Sequence, residues 1–170
     1  MNLDDFTISG FKLLRSRVVH DERRYFSLFK SAYSVEYRLG EVTSPLIEGT
    51  PLMIFSDRHH AVEFAEYGSF QVLAHCYAKP YSGQEGSVLR AWPGPGWFKE
   101  YAQSYVVDFW QNNGGKLTDR KPPPLGTVLC DQCIITEILN PVLQLWIDPE
   151  LQYTPPPLSS IISTEETDQS

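Results

Sequence analysis

Few residues in this sequence can carry chemistry: three cysteines and four histidines stand out among 170 residues. Cys130 and Cys133 form a C-x-x-C pair, which can supply half of a zinc site or a redox couple. A closed zinc site needs two further soft ligands in a second knuckle. The remaining candidates, Cys76 and the histidines, are not paired in that way. No Trp-Cys redox context precedes a helix at this pair, so both thiols read as small buried apolar groups at a strand entry. No metal and no cofactor is expected. His59 and His60 are adjacent, and on a helix neighbouring side chains diverge by about 100°, which keeps them from sharing one ion. His75 lies beside Cys76 on a predicted strand, so the two point to opposite faces. A nucleophile and base pair would require a histidine to meet Cys76 or Cys133 in space.

Carboxylates are numerous, but no spacing isolates a general acid and base. Glu63 and Glu66, three apart, read as the wet side of an amphipathic helix. Glu36 and Arg38 flank Tyr37 and are candidate ligand contacts on a concave sheet face, although strand alternation more simply turns them outward. Neither a Gly-x-x-x-x-Gly-Lys-Ser/Thr loop nor a Gly-x-Gly-x-x-Gly turn occurs, which removes the common phosphate cradles. The rings are the unusual feature. Trp92, Trp97, Phe98, Tyr101, Tyr105, Phe109 and Trp110 crowd one short segment. Indoles and phenols combine apolar area with a polar handle, which suits them to binding surfaces. Core packing of the helix that carries them accounts for most, leaving Trp97 and Trp110, off the central stripe, as the expected contact residues, with Trp92, Tyr101 and Tyr105 beside them.

The elements that must position these residues follow from hydropathy. Segments 10–19 and 24–29, rich in branched and aromatic residues and separated by a charged turn, predict an opening β-hairpin. Val35, Tyr37 and Leu39 alternate with Glu36 and Arg38 as a third strand ended by Gly40. The apolar run 51–55 predicts a buried central strand, followed by Ser56-Asp57 as N-cap chemistry and a helix over 57–67 that turns Ala61, Phe64 and Ala65 to the sheet. A strand over 71–77 returns. The stretch 80–124 reads as an insertion, with a strand at 87–92, a stiff Pro93-Gly94-Pro95-Gly96 elbow and an amphipathic helix over 98–111. A strand over 127–139, broken near Asp131-Gln132, and an alternating segment at 143–147 complete the body. The expected class is α+β: a single, mostly antiparallel sheet of about six to seven strands with two packed helices and the aromatic insertion. Residues 1–150 form one domain in this reading. Residues 151–170 form a Pro-rich and then acidic disordered tail.

The net charge of −7 includes Glu165, Glu166 and Asp168 near the end. Basic residues are locally answered by acids, so nucleic acid is an unlikely partner on electrostatic grounds. No apolar run approaches membrane-spanning length and the N-terminus lacks a basic leader, so no membrane partner is expected. An odd cysteine count fits a reducing compartment, and the predicted location is cytoplasmic, that of the host if the source is viral.

Two resemblances add to this. The order formed by the opening hairpin, Val35-Glu36-Tyr37 with Gly40-Glu41, the Gly49, Pro51, Leu52 and Phe55 strand, the Ala61, Phe64 and Ala65 helix step and the 126–129 Gly-Thr-Val-Leu segment resembles a family of small, uncharacterised phage and bacterial α+β domains. That resemblance implies an accessory role and no stated activity. The strand followed by an Ala-x-x-Phe-Ala helix also resembles ADP-ribosyltransferase-like domains, with Arg15, Arg17 and Glu137 loosely available for nucleotide contacts. The expected function is a non-enzymatic binding module, holding a protein or a nucleotide-like small molecule through the aromatic insertion. The alternatives are a nucleotide-acting enzyme on an ADP-ribosyltransferase-like scaffold and a structural subunit of a larger assembly, a homo-oligomer included.

Overall fold

A computed structural model of the chain describes residues 2–28, 34–65, 71–83, 92–93, 120–121, 123–139 and 153–162. The opening hairpin is formed by β1 (Ile8–Val19) and β2 (Glu22–Ser27), antiparallel, with Val19 opposite Glu22. His20 and Asp21 are therefore a two-residue loop, and their φ values of 50° and 64° make it the left-handed turn whose twist matches that of the flanking strands.

Three long strands build most of the wall. β6 (Gln71–Pro80) pairs with β1 on one edge and with β9 (Thr127–Leu139) on the other. β5 (Leu52–Phe55) then pairs with β1 through Phe11 and Phe55, and with β9 through Leu52 to Cys130 and its neighbours. The sheet thus closes on itself as a four-stranded antiparallel barrel, β1-β6-β9-β5. The rest of the gap between β1 and β9 is spanned by β2, by β3 (Glu36–Tyr37) on β2, by a bridge from Leu39 to Ile135 and by β4 (Val42–Thr43) on β9.

Such a ring has little room inside, and its inward residues fit that limit. β6 contributes Val72, Ala74, Cys76 and Ala78, β9 contributes Cys130, Cys133 and Ile135, and β5 contributes Leu52 and Ile54, all buried around Leu14 and Tyr37. β9 keeps this phase over its length through two bulges, at Asp131 and at Thr136, where its register against β6 shifts. Gly10, on the inward face of β1, makes closure sterically feasible: a Cβ there would stand 2.6 Å from the Phe55 carbonyl oxygen and 2.9 Å from Ile54 Cδ1. On the outer side, α1 (Arg58–Ala65) starts at Asp57, whose carboxylate accepts the His60 N–H at 2.9 Å. It buries Ala61 and Ala65 against Leu13, Leu73 and Phe55. Gly126, at φ +76°, passes so close that a Cβ would lie 2.6 Å from His60 Nδ1.

The expected α+β arrangement, an open sheet with two helices packed on it, is therefore corrected to a mostly β fold built on a closed barrel. Closure supplies the second layer: the inward side of each strand packs against the opposite wall, and helices are not needed to cover it. Among the described residues the α-helices are two and short, α1 and α2 (Leu158–Ile162). The helix expected over 98–111 and the segment 143–147 lie outside the described residues. The insertion's described parts, β7 (Trp92–Pro93) and β8 (Arg120–Lys121), pair antiparallel with each other in a ladder separate from the barrel. The break expected near Asp131 is a bulge in an otherwise continuous strand. Within the segment expected to be a disordered tail, residues 153–162 are described: Tyr77 donates to the Pro156 carbonyl at 3.1 Å and Tyr153 donates to Glu137 at 2.7 Å. No helix among the described residues is long and apolar enough to cross a membrane.

Candidate functional site

An open groove of about 710 Å3 lies where the 44–50 loop, the end of β6 and the first bulge of β9 converge. Several of its polar side chains are held by their neighbours. Tyr81 donates to the Gly49 carbonyl at 3.1 Å, and Asp131 accepts the Ser82 N–H through both oxygens at 3.2 Å. Gln132 donates to Ser44 at 2.9 Å, and Lys79 is ion-paired with Asp5 at 2.9 Å. Burial and the nearby Asp131 charge raise the Tyr81 phenol, which keeps it a neutral donor. The bulge explains why a charged residue can occupy the middle of β9: an extra residue escapes strand alternation and is re-aimed.

The outer face of β6 carries a second cluster. Phe11, His75 and Glu137 form one cross-strand row, and Ser9 is diagonal to His75 because it pairs with Tyr77. His75 is 0 % exposed. Its Nε2 is 2.9 Å from Ser9 Oγ and its Nδ1 is 2.6 Å from Thr136 Oγ1. Rings of Tyr77, Tyr153 and Phe11 surround it, with centroids at 5.1, 5.4 and 5.7 Å. Burial pulls the imidazole down to about 4, against the opposing charge of Glu137. The phenol of Tyr153 is raised by burial and by donating to Glu137.

The barrel interior is the third place where reactive groups meet. Cys76, Cys130 and Cys133 are each 0 % exposed, and none forms a disulfide. The Cys130 thiol donates to the Leu52 carbonyl at 3.6 Å, and the neighbouring Cys133 thiol together with burial raises Cys130; burial also raises Cys76. Lys12, inward on β1, donates to the Met53 carbonyl at 2.5 Å and sits 5.4 Å from the centre of the Tyr37 ring. No group of three or more His, Cys, Asp or Glu among the described residues has the geometry to hold a metal ion.

The residues singled out from sequence fall in different places. Glu36 and Arg38 point outward while Tyr37 is buried, and they form a surface ion-pair chain: Arg24 to Glu36 at 3.7 Å, Arg38 to Glu36 at 3.8 Å and Arg38 to Glu41 at 3.8 Å. Neither lines the groove. Trp97, Tyr101, Tyr105 and Trp110 lie outside the described residues, and of Trp92 the strand pairing to Lys121 is described. His75 and Cys76 do point to opposite faces. His59 approaches Glu63 at 3.2 Å and His60 approaches Asp57 at 2.5 Å, so each has a carboxylate neighbour. Burial raises the Asp57 carboxyl, yet the hydrogen bonds from His60 and Ser56 outweigh it and lower the group. Arg15 pairs opposite Gln71, four residues along β1 from the row containing Glu137, roughly 13 Å at strand rise. Sequence reasoning missed the groove residues and the Ser9 and Thr136 partners of His75. A hydroxyl near a histidine in space leaves no mark when the two are far apart in the chain. Searches of family models, of curated proteins and of solved structures find no match to this chain.

Proposed function

We propose that the chain is a binding module that holds a protein segment or a nucleotide-like small molecule in the groove at the end of the barrel, together with contact rings from the aromatic insertion. The observation that carries this reading is the groove itself. Its volume of about 710 Å3 falls within the range of small-molecule sites, roughly 300–1,000 Å3. Its walls offer a carboxylate, an amide, hydroxyls and a phenol already held by hydrogen bonds, so little side-chain entropy remains to be lost on binding. Trp97, Tyr101, Tyr105 and Trp110 of the insertion supply rings of the kind that stack on flat ligands. An accessory role of the phage or bacterial kind fits a domain of this sort.

A thermal-shift screen with nucleotides and cyclic dinucleotides tests the small-molecule form of the reading. Saturable stabilisation of the parent chain, reduced in Asp131→Ala and in Trp97→Ala, supports it, since a ligand at about one hundred times its Kd adds about 2.7 kcal/mol. The protein form is tested by displaying short random peptides against the parent chain and against Asp131→Ala. A failure of both screens, or binding indifferent to both substitutions, removes the groove as the site.

A further inference from the structure

The cluster around His75 lies four residues along β6 from Lys79 in the groove, roughly 13 Å at strand rise, and the binding function does not use it. Its parts come from three strands. Ser9 on β1 is exposed, His75 on β6 is buried, and Thr136 is the bulged residue of β9, turned by the bulge toward the ring. Thr136 Oγ1 also donates to the His75 carbonyl at 3.3 Å. If its one proton is used there, the hydroxyl offers a lone pair to Nδ1–H, and Nε2 is left without a proton and facing the Ser9 hydroxyl 2.9 Å away. That is the tautomer a general base requires, fixed by a third group.

We propose that Ser9 is an activated nucleophile that accepts a small apolar acyl group from an activated ester, with His75 as its general base and Thr136 as the residue that positions the imidazole. Ser9 Oγ forms a bond to the ester carbonyl carbon while its proton passes to His75 Nε2. The bond from that carbon to the leaving oxygen then breaks, and the leaving group takes the proton from Nε2 as a neutral alcohol. Acyl-Ser9 and neutral His75 remain, and water attacking by the same route releases the carboxylic acid and restores the serine. Glu137, the neighbour of His75 in the same row on β9, offsets part of the cost that burial puts on the transient imidazolium. The rings of Phe11, Tyr77 and Tyr153 screen the imidazole from water and favour an apolar acyl group over a charged one.

The test uses the full chain at neutral pH with p-nitrophenyl acetate and with a fluorophosphonate, read by intact mass and peptide mapping. The expected result is one adduct per chain, on Ser9, and none there in Ser9→Ala. The labelling rate falls about a hundredfold in His75→Gln, the low end of what a general base contributes. If His75→Gln does not fold, Thr136→Val carries the test: the rate at Ser9 drops by an order of magnitude and Thr136→Ser restores it, a rescue that mere packing would not give. No Ser9 adduct on the folded chain overturns the proposal. So does a Ser9 adduct that forms as fast in Thr136→Val as in the parent, since that is an ordinary surface hydroxyl.

Discussion

Substituting Gly10 by alanine is the sharpest probe of barrel closure. The new methyl would stand 2.6 Å from the Phe55 carbonyl oxygen and 2.9 Å from Ile54 Cδ1. Ile54 could rotate, but the carbonyl belongs to the backbone of β5, and moving it pulls against the single Phe11 to Phe55 pairing that closes the ring. Overpacking of this kind costs about 1–3 kcal/mol, and weakening the pairing adds about 1 kcal/mol. The lost freedom of glycine in the unfolded chain returns about 0.4–1 kcal/mol. The net expectation is a loss of about 1–3 kcal/mol, or a fall in Tm of roughly 3–10 °C for a chain of this size. Urea denaturation followed by tryptophan fluorescence and circular dichroism measures it. Gly10→Val should lose more. An alanine variant as stable as the parent would show that β5 does not press on β1 and that the closure argument is mistaken.

His75 should titrate near 4 by NMR. Because its folded value is lowered, the stability it confers is fully present above the unfolded value of about 6.5, and up to about 3 kcal/mol is lost as pH falls toward 4; an observed value of 6 or above would contradict the buried geometry. Tyr153→Ala should cost about 1–3 kcal/mol by urea titration, through two ring contacts and the hydrogen bond to Glu137; an unchanged midpoint would mean that residues 153–162 do not stay on the barrel in solution. Trp97→Ala and Trp110→Ala should weaken partner binding tenfold or more while leaving Tm nearly unchanged, and a large fall in Tm would place those indoles in the core.

Local pattern made several elements legible. The first hairpin, the Leu52–Phe55 strand, the Asp57 cap and the Ala61 and Ala65 face of α1 all follow from alternation, helical spacing and turn chemistry, which act over a few residues. The opposite aims of His75 and Cys76 follow from the same period of two. Closure was not legible, because it depends on which edges meet. An alternating strand reads the same in an open sheet and in a barrel, and Gly10 resembles any strand glycine until Phe55 is beside it. The small residues of β6 and β9, Ala74, Cys76, Ala78, Cys130 and Cys133, were the available hint, since a sheet covered by helices would carry larger groups there.

The candidate sites were hidden for a related reason. Both depend on bulges in β9. At Asp131 and Thr136 one extra residue leaves the alternation and carries a polar side chain to the outer face, into the groove in one case and against His75 in the other. A period-two reading of 127–139 sees these polar residues as a break in the strand. In the barrel they let Cys130, Cys133 and Ile135 remain inward while the strand supplies a carboxylate and a hydroxyl to the outside. Removing either bulge by deletion would shift every residue beyond it to the wrong face, so the residues that interrupt the pattern are also those that allow one strand to line a core and furnish two sites.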